Sequence, residues 1–234
     1  MQVSVCLRAV IWLALVGTLT TACDVSVKDG NVSIDLVTGK AVDDSTRTYT
    51  IAPNGMIEIE NRNGSIEVTS SEAPQLEVVI SRQAEARSDE AAQALLKQIE
   101  ILEEREPARV RLTTKAPSDG SIRVNYTVRA PRSLSTVLKT ENGRVVVDGM
   151  AGSVRATGSN GPIDGKGLTG AVQASTINGP VRVELALVGG EISLATINGP
   201  VRLVIPTTAK AELSARSLNG RIATSGLTFE NLDQ

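Results

Sequence analysis

The chain has 234 residues, 24 Lys or Arg against 26 Asp or Glu, no histidine and two cysteines. A net charge of −2 argues against a nucleic-acid binder, which presents a basic face, and the lack of histidine removes imidazole acid–base catalysis and the commonest zinc and copper ligand. Aromatic residues make up 2% of the chain, too few for the Trp- and Tyr-rich platforms that dominate tight protein and sugar sites.

Residues 1–22 read as a lipoprotein signal peptide. Arg8 supplies the positive start, Ala9 to Gly17 the apolar stretch, and small residues lead to Cys23. The apolar run falls well short of the ~20 residues that a spanning helix needs. Small residues before a cysteine resemble the lipobox of bacterial lipoproteins, with Thr20 standing where Leu is commonest. An ordinary secretory signal with a cysteine nearby is the competing reading. Acylation is favoured because Cys23 is the only cysteine after residue 22, and an exported chain with one free thiol is unusual. Each buried methylene of an acyl chain adds roughly 0.8 kcal/mol of membrane affinity. Asp24, directly after the cysteine, favours the periplasmic face of the inner membrane under a sorting rule of some Gram-negative bacteria, with the outer membrane and cell surface as alternatives.

Residues 23–49 are expected to form an N-terminal tether and first strands, with 38–47 (TGKAVDDSTR) as a polar connection. Residues 50–141 carry the first β units, around Gly55 and Gly64, and then an insert. Leu76–Ile80 alternates as a strand. Ser88 is placed to cap a helix whose first turn holds Asp89 and Glu90, with Ala92, Leu95, Leu96, Ile99 and Leu102 along one apolar stripe. Arg109–Leu112, Ile122–Val128 and Leu134–Lys139 follow as strands, and the insert is expected to cover one end or side of the repeated part.

From residue 142 to 225 a glycine followed two residues later by Val or Ile recurs at steps of nine, as at Gly143, Gly152, Gly161, Gly170 and Gly179. Asn precedes alternate glycines, at Asn142, Asn160, Asn178, Asn198 and Asn219. A fixed short period builds one unit again and again. The expected fold is therefore all-β, a parallel β-helix or solenoid with two short strands per 18–21-residue coil and an insert with one helix. Val145, Ile163, Val181, Val201 and Ile222 should then form one buried column. The five asparagines read as structural turns, since Asn and Gly tolerate left-handed backbone; Asn-Gly also suits tight hairpins, which keeps an antiparallel meander as the rival. The G-G-x-G-x-D pattern of calcium-binding β-rolls does not recur here, and no metal or cofactor is expected. Lys166, Arg182 and Arg202 form a candidate anion-binding stripe, weighed against a solvated face near Glu184. Residues 226–234 are left as a cap or tail.

The run Thr176-Ile177-Asn178-Gly179-Pro180-Val181, repeated at Thr196 to Val201, resembles the bacterial adhesin-like β-helix family, related to the head domain of autotransporter adhesins. The likeness extends over most of residues 50–225, through Asn61–Val68, Arg129-Ala130-Pro131 and Thr140-Glu141-Asn142-Gly143. It implies a parallel β-helix on an exported or membrane-tethered bacterial protein, with no shared catalytic residue to carry over. The functional expectation is a non-enzymatic, membrane-anchored envelope lipoprotein whose repeated body serves as scaffold or binding surface, with an envelope protein or polymer as partner. A glycan-active β-helix enzyme and an envelope-stress sensor or regulatory binding module are the alternatives. No catalytic residue is assigned.

Overall fold

The computed structural model describes residues 23–28, 31–36, 39–118 and 121–212, with single positions 214, 223, 225 and 226. Strands β1 (Cys23–Lys28) and β2 (Asn31–Leu36) pair antiparallel with each other as a separate two-stranded sheet. The rest of the described chain forms two mixed sheets and one helix. The seven-stranded sheet holds β4 (Met56–Asn63), β7 (Glu100–Glu106), β8 (Arg109–Lys115), β10 (Ser135–Asn142), β12 (Val154–Asn160), β14 (Val172–Asn178) and β16 (Ile192–Asn198). The eight-stranded sheet holds β3 (Gly39–Tyr49), β5 (Ile66–Ser71), β6 (Leu76–Ala86), β9 (Ser121–Pro131), β11 (Val145–Asp148), β13 (Ile163–Leu168), β15 (Val181–Leu185) and β17 (Val201–Val204).

The wholly parallel β-helix or solenoid expected from the glycine period is corrected by these sheets. Both are mixed and the structure is not a closed solenoid. β3 pairs antiparallel with β6, β6 with β9, and β7 with β8. The physical reason lies in residues 70–141, which do not cover a finished stack. Their strand β8 pairs parallel with β4, placing Ile57 beside Val110 and Ile59 beside Leu112. Their strand β9 pairs parallel with β5, placing Ile66 beside Tyr126 and Val68 beside Val128. The insert therefore supplies interior strands to both sheets, and antiparallel returns complete the N-terminal end.

Two further expectations change with it. Residues 39–47, read as part of a polar connection, belong to the strand β3, whose outward positions carry Lys40, Val42, Asp44, Thr46 and Thr48, with Asp43, Ser45 and Arg47 half-buried on the face of Ala41 and Tyr49. The helix α1 (Asp89–Leu96) starts as expected, with Ser88 Oγ accepting from Ala91 N at 3.2 Å. It ends before Ile99 and Leu102, however. Leu102 belongs to β7, a charged edge strand (EILEERE) that joins β8 through the turn Pro107-Ala108. Charge on an edge strand discourages pairing with another chain, and it masks the strand signal in the sequence.

In the repeated part, Asn-Gly corners carry the chain from one sheet to the other, from β10 to β11, β12 to β13, β14 to β15 and β16 to β17. They do not close hairpins. Across neighbouring strands of like direction Val145 aligns with Ile163, Ile163 with Val181, and Val181 with Val201. Ile222 lies outside the described residues. Facing them, Val154 aligns with Val172 and Val172 with Ile192. These columns join the residues of both sheets in one hydrophobic core. Full burial of such a side chain stabilises by about 1.5–3 kcal/mol. The core thins at the C-terminal end, where β16 and β17 are edges and Ile197 and Val201 are 75% and 46% exposed.

The corner glycines are required by space. A Cβ on Gly143 would overlap the carbonyl oxygen of Gly64, one on Gly161 that of Gly143, and one on Gly179 that of Gly161. Gly161 also has φ +137, which side chains other than hydrogen disfavour. Gly158 differs: a Cβ there would find its nearest atom, Thr176 Oγ1, at 3.3 Å. Chemical denaturation should therefore separate two substitutions. Gly161→Ala should lower stability by about 2 kcal/mol or more, whereas Gly158→Ala should stay within about 1 kcal/mol of the parent. Equal effects would remove the steric account of the corners.

Candidate functional site

The Asn-Gly corners make one continuous line of side-chain amides. Asn142 Nδ2 donates to Asn63 Oδ1, Asn160 to Asn142, Asn178 to Asn160 and Asn198 to Asn178, each at 2.8 Å. Each of Asn142, Asn160 and Asn178 thus spends its amide on its neighbours. Asn219 lies outside the described residues. A second column lies just inside the first. Thr140, Thr176 and Thr196 donate through Oγ1 to the carbonyls of Gly64, Gly161 and Gly179, and Asn61 Nδ2 donates to Val124 O at 2.7 Å. These donors at the corners thereby find acceptors, while the buried Asn61 Oδ1 is left without a partner among the described residues.

Of the candidate stripe, Arg182 and Arg202 are register partners on β15 and β17. Lys166 is not in their column, for its partner across β11 and β13 is Asp148. The residue aligned with Arg182 on its other side is Asp164, and they pair at 3.2 Å. Asp164 also accepts from Arg144 at 2.7 Å. The stripe is thus partly neutralised from within, and Arg202 has no ion-pair partner among the described residues. The outer face of the seven-stranded sheet behaves alike. Arg109 and Arg111 on β8 meet Glu58 and Glu60 on β4, and Lys139 on β10 meets Glu60 at 2.7 Å. The Lys139 hydrogen bond holds the Glu60 carboxyl below its ordinary range. Cys23 begins β1.

At the N-terminal end Tyr126 is fully buried and shares a 2.6 Å hydrogen bond with Thr114. Burial pushes its phenol up to about 12, against the opposing hydrogen bond with Thr114. Burial also raises Tyr49, against the cations Arg47 and Arg105; the Arg105 guanidinium lies 4.9 Å from the ring centroid of Tyr49.

A concave polar surface lies elsewhere among the described residues. It lies where the first Asn-Gly corner meets the outer face of the antiparallel pair β6–β9, and its volume is about 630 Å³. Asn63 and Asn142 form one wall. Gln83 and Glu85 lie opposite Arg123 and Ser121 in the strand register and form the other. Asn125 Oδ1 accepts from Ser65 N at 2.9 Å and from Ser65 Oγ at 3.3 Å, which fastens the corner to β9. Among the described residues no hydrogen bond or ion pair occupies the side chains of Gln83, Glu85, Ser121 or Arg123. Sequence reasoning missed this group. Its only local signal is that residues 81, 83, 85 and 121, 123, 125 are all polar at alternate positions, and that pattern gives no pairing between them. Among the described residues there is no cluster of three or more His, Cys, Asp or Glu placed to hold a metal ion.

No protein-family model matches the chain, and no curated protein matches it. Among solved structures, a putative cell adhesion protein from Clostridium sporogenes is 11% identical, covers 70% of this chain and 100% of its own, and has a TM-score of 0.48. A putative adhesin from Bacteroides fragilis is 11% identical over 69% of this chain and 97% of its own, with a TM-score of 0.25. A putative lipid binding protein from Parabacteroides distasonis is 13% identical over 69% of this chain and 78% of its own, with a TM-score of 0.25. Likenesses at this level carry no argument about what the chain does.

Two measurements check this geometry. Asn160→Ala breaks two amide bonds and should cost about 1–2 kcal/mol in denaturant titration, roughly twice the loss from Asn63→Ala, which breaks one. Alkaline titration followed by tyrosinate absorbance should find both phenols titrating above the ordinary value of about 10, Tyr126 the higher-shifted near 12. Both folded-state pKa values are raised, so the stabilisation is complete below pH ~10 and is lost above it, for Tyr126 as pH climbs through about 12. Ionisation and unfolding should then coincide; tyrosinate appearing near pH 10 in folded protein would contradict the burial.

Proposed function

We propose that this chain is a non-enzymatic binding protein of the bacterial cell envelope, held at a membrane by an acylated Cys23. The observation that carries the binding reading is the contrast between two kinds of polar surface. Along the repeated part the asparagine amides are occupied by one another, and Asp164 holds both Arg144 and Arg182. The cleft at β6–β9 keeps several polar groups unoccupied in one concavity. Glu85 is the only carboxylate lining it among the described residues, whereas glycoside hydrolysis uses a flanking pair. This favours binding over turnover.

The tether rests on the apolar stretch before Cys23 and on the absence of a second cysteine after it. No helix among the described residues is long and apolar enough to cross a membrane, so acylation supplies the attachment in this reading. Asp24 favours the periplasmic face of the inner membrane. Mass spectrometry of the chain from its native host should find Cys23 as an acylated N-terminus, and Cys23→Ser should move the protein from the membrane to the soluble fraction. Incubation with envelope polysaccharides should yield no shorter products. An unacylated terminus elsewhere would remove the tether, and turnover of any polysaccharide would remove the non-enzymatic reading.

A further inference from the structure

The cleft at β6–β9 lies at the terminus of the amide line, and its chemistry narrows the ligand. From Asn198 to Asn63 every amide donates in the same direction, and Asn63 accepts from Asn142. The Nδ2 of Asn63 has no acceptor among the described residues, so it is the unspent donor at the end of five aligned amides. Hydrogen bonds in such chains polarise one another and strengthen the terminal donor. Asn63 lines the cleft, as do Glu85 and Arg123.

The two charges there are opposite and single. Across β6 and β9, Arg123 faces Gln83 and Ser121 faces Glu85. Glu85 and Arg123 stand diagonally and form no ion pair with each other, so each keeps its hydrogen-bonding capacity. A multivalent anion would meet Arg123 but also Glu85. A cation would meet the reverse. An apolar molecule would strip water from groups it could not satisfy. A hydroxyl both donates and accepts, so a chain of hydroxyls satisfies the amides, the carboxylate and the guanidinium together. The volume of about 630 Å³ falls within the range of small-ligand sites. The walls are held in advance, one by the amide line and the Asn125–Ser65 bonds, the other by the antiparallel ladder. From these observations we propose that the cleft binds a short segment of a neutral glycan. The proposal rests on the binding-protein reading above and names its ligand class. No aromatic side chain lines the cleft, so binding is weak for a single site.

Saturation-transfer NMR on the full chain tests this, with maltotriose, cellotriose and chitotriose as probes and inorganic phosphate as the anionic comparison. At least one trisaccharide should receive transfer, with phosphate failing to displace it. The double substitution Glu85→Ala/Arg123→Ala should weaken binding by about tenfold, the scale of losing hydrogen bonds to charged groups. Ser121→Leu, which fills an exposed position of the cleft with a side chain that neither donates nor accepts and breaks no hydrogen bond of the fold, should give the same loss in a chain whose thermal midpoint is unchanged. No transfer to any trisaccharide, retention of transfer in both variants, or displacement by phosphate would overturn the proposal and leave the tethered-binder reading standing. New reducing-end signals during the measurement would support the ligand class and overturn the non-enzymatic reading.

Discussion

At each Asn-Gly corner one glycine carbonyl occupies the space where the next glycine would carry a Cβ. Everything regular in the C-terminal part follows from that approach. It sets successive corners one strand spacing apart, so that Gly143 N reaches Asn160 O at 2.9 Å and Gly161 N reaches Asn178 O at 2.9 Å. The strands leaving those corners then pair in parallel with valines and isoleucines aligned. Because the corners are equally spaced, the asparagine amides fall at one repeated distance of 2.8 Å and bond in line. Parallel neighbours in a sheet stand ~4.8 Å apart, within the reach of an amide.

That arrangement cannot terminate itself. A parallel array of short strands leaves open backbone at both ends, which invites pairing with other chains. At the N-terminal end the chain closes it with antiparallel strands of opposite sense. β6 lies between β9 and β3, α1 packs against β3 and β6, and the charged β7 forms the outer edge beside β8. A partly exposed ion pair of Arg82 with Asp43, and the Arg82 hydrogen bond to Ile99 O at 2.9 Å, tie β6 to β3 and to the segment after the helix. The cleft arises at this junction of parallel and antiparallel regions. A corner, which must project to turn the chain, meets the flat outer face of a long antiparallel pair, and a concavity is left between them.

Much of the repeated region was legible in the sequence because its constraints are local. A position that excludes Cβ must be glycine wherever it occurs, and alternation of apolar residues reports one buried face. Ser88 as a helix cap was legible for the same reason. The closure of the fold was not. β3 reads as a polar connection because Asp43, Ser45 and Arg47 on one face and Asp44, Thr46 and Thr48 on the other hide any apolar alternation, and the start of β7 reads as the end of the helix's apolar stripe through Leu102. Strands β8 and β9 lack the Asn-Gly mark, so nothing in the period announces that they continue the same two sheets. The candidate site divides similarly. The Asn turns could be anticipated from residue type, while the neutralising role of Asp164 against Arg182 depends on register across β13 and β15.

By itself the sequence determined the corners and the aligned apolar columns from Val145 to Val181, since each is written in neighbouring residues. Tertiary structure alone decided that the sheets are mixed, which end is covered, and where unoccupied polar groups converge. Gln83 and Arg123 face each other across β6 and β9, far apart along the chain. Their meeting depends on which distant apolar faces bury together, a choice that local preference does not encode.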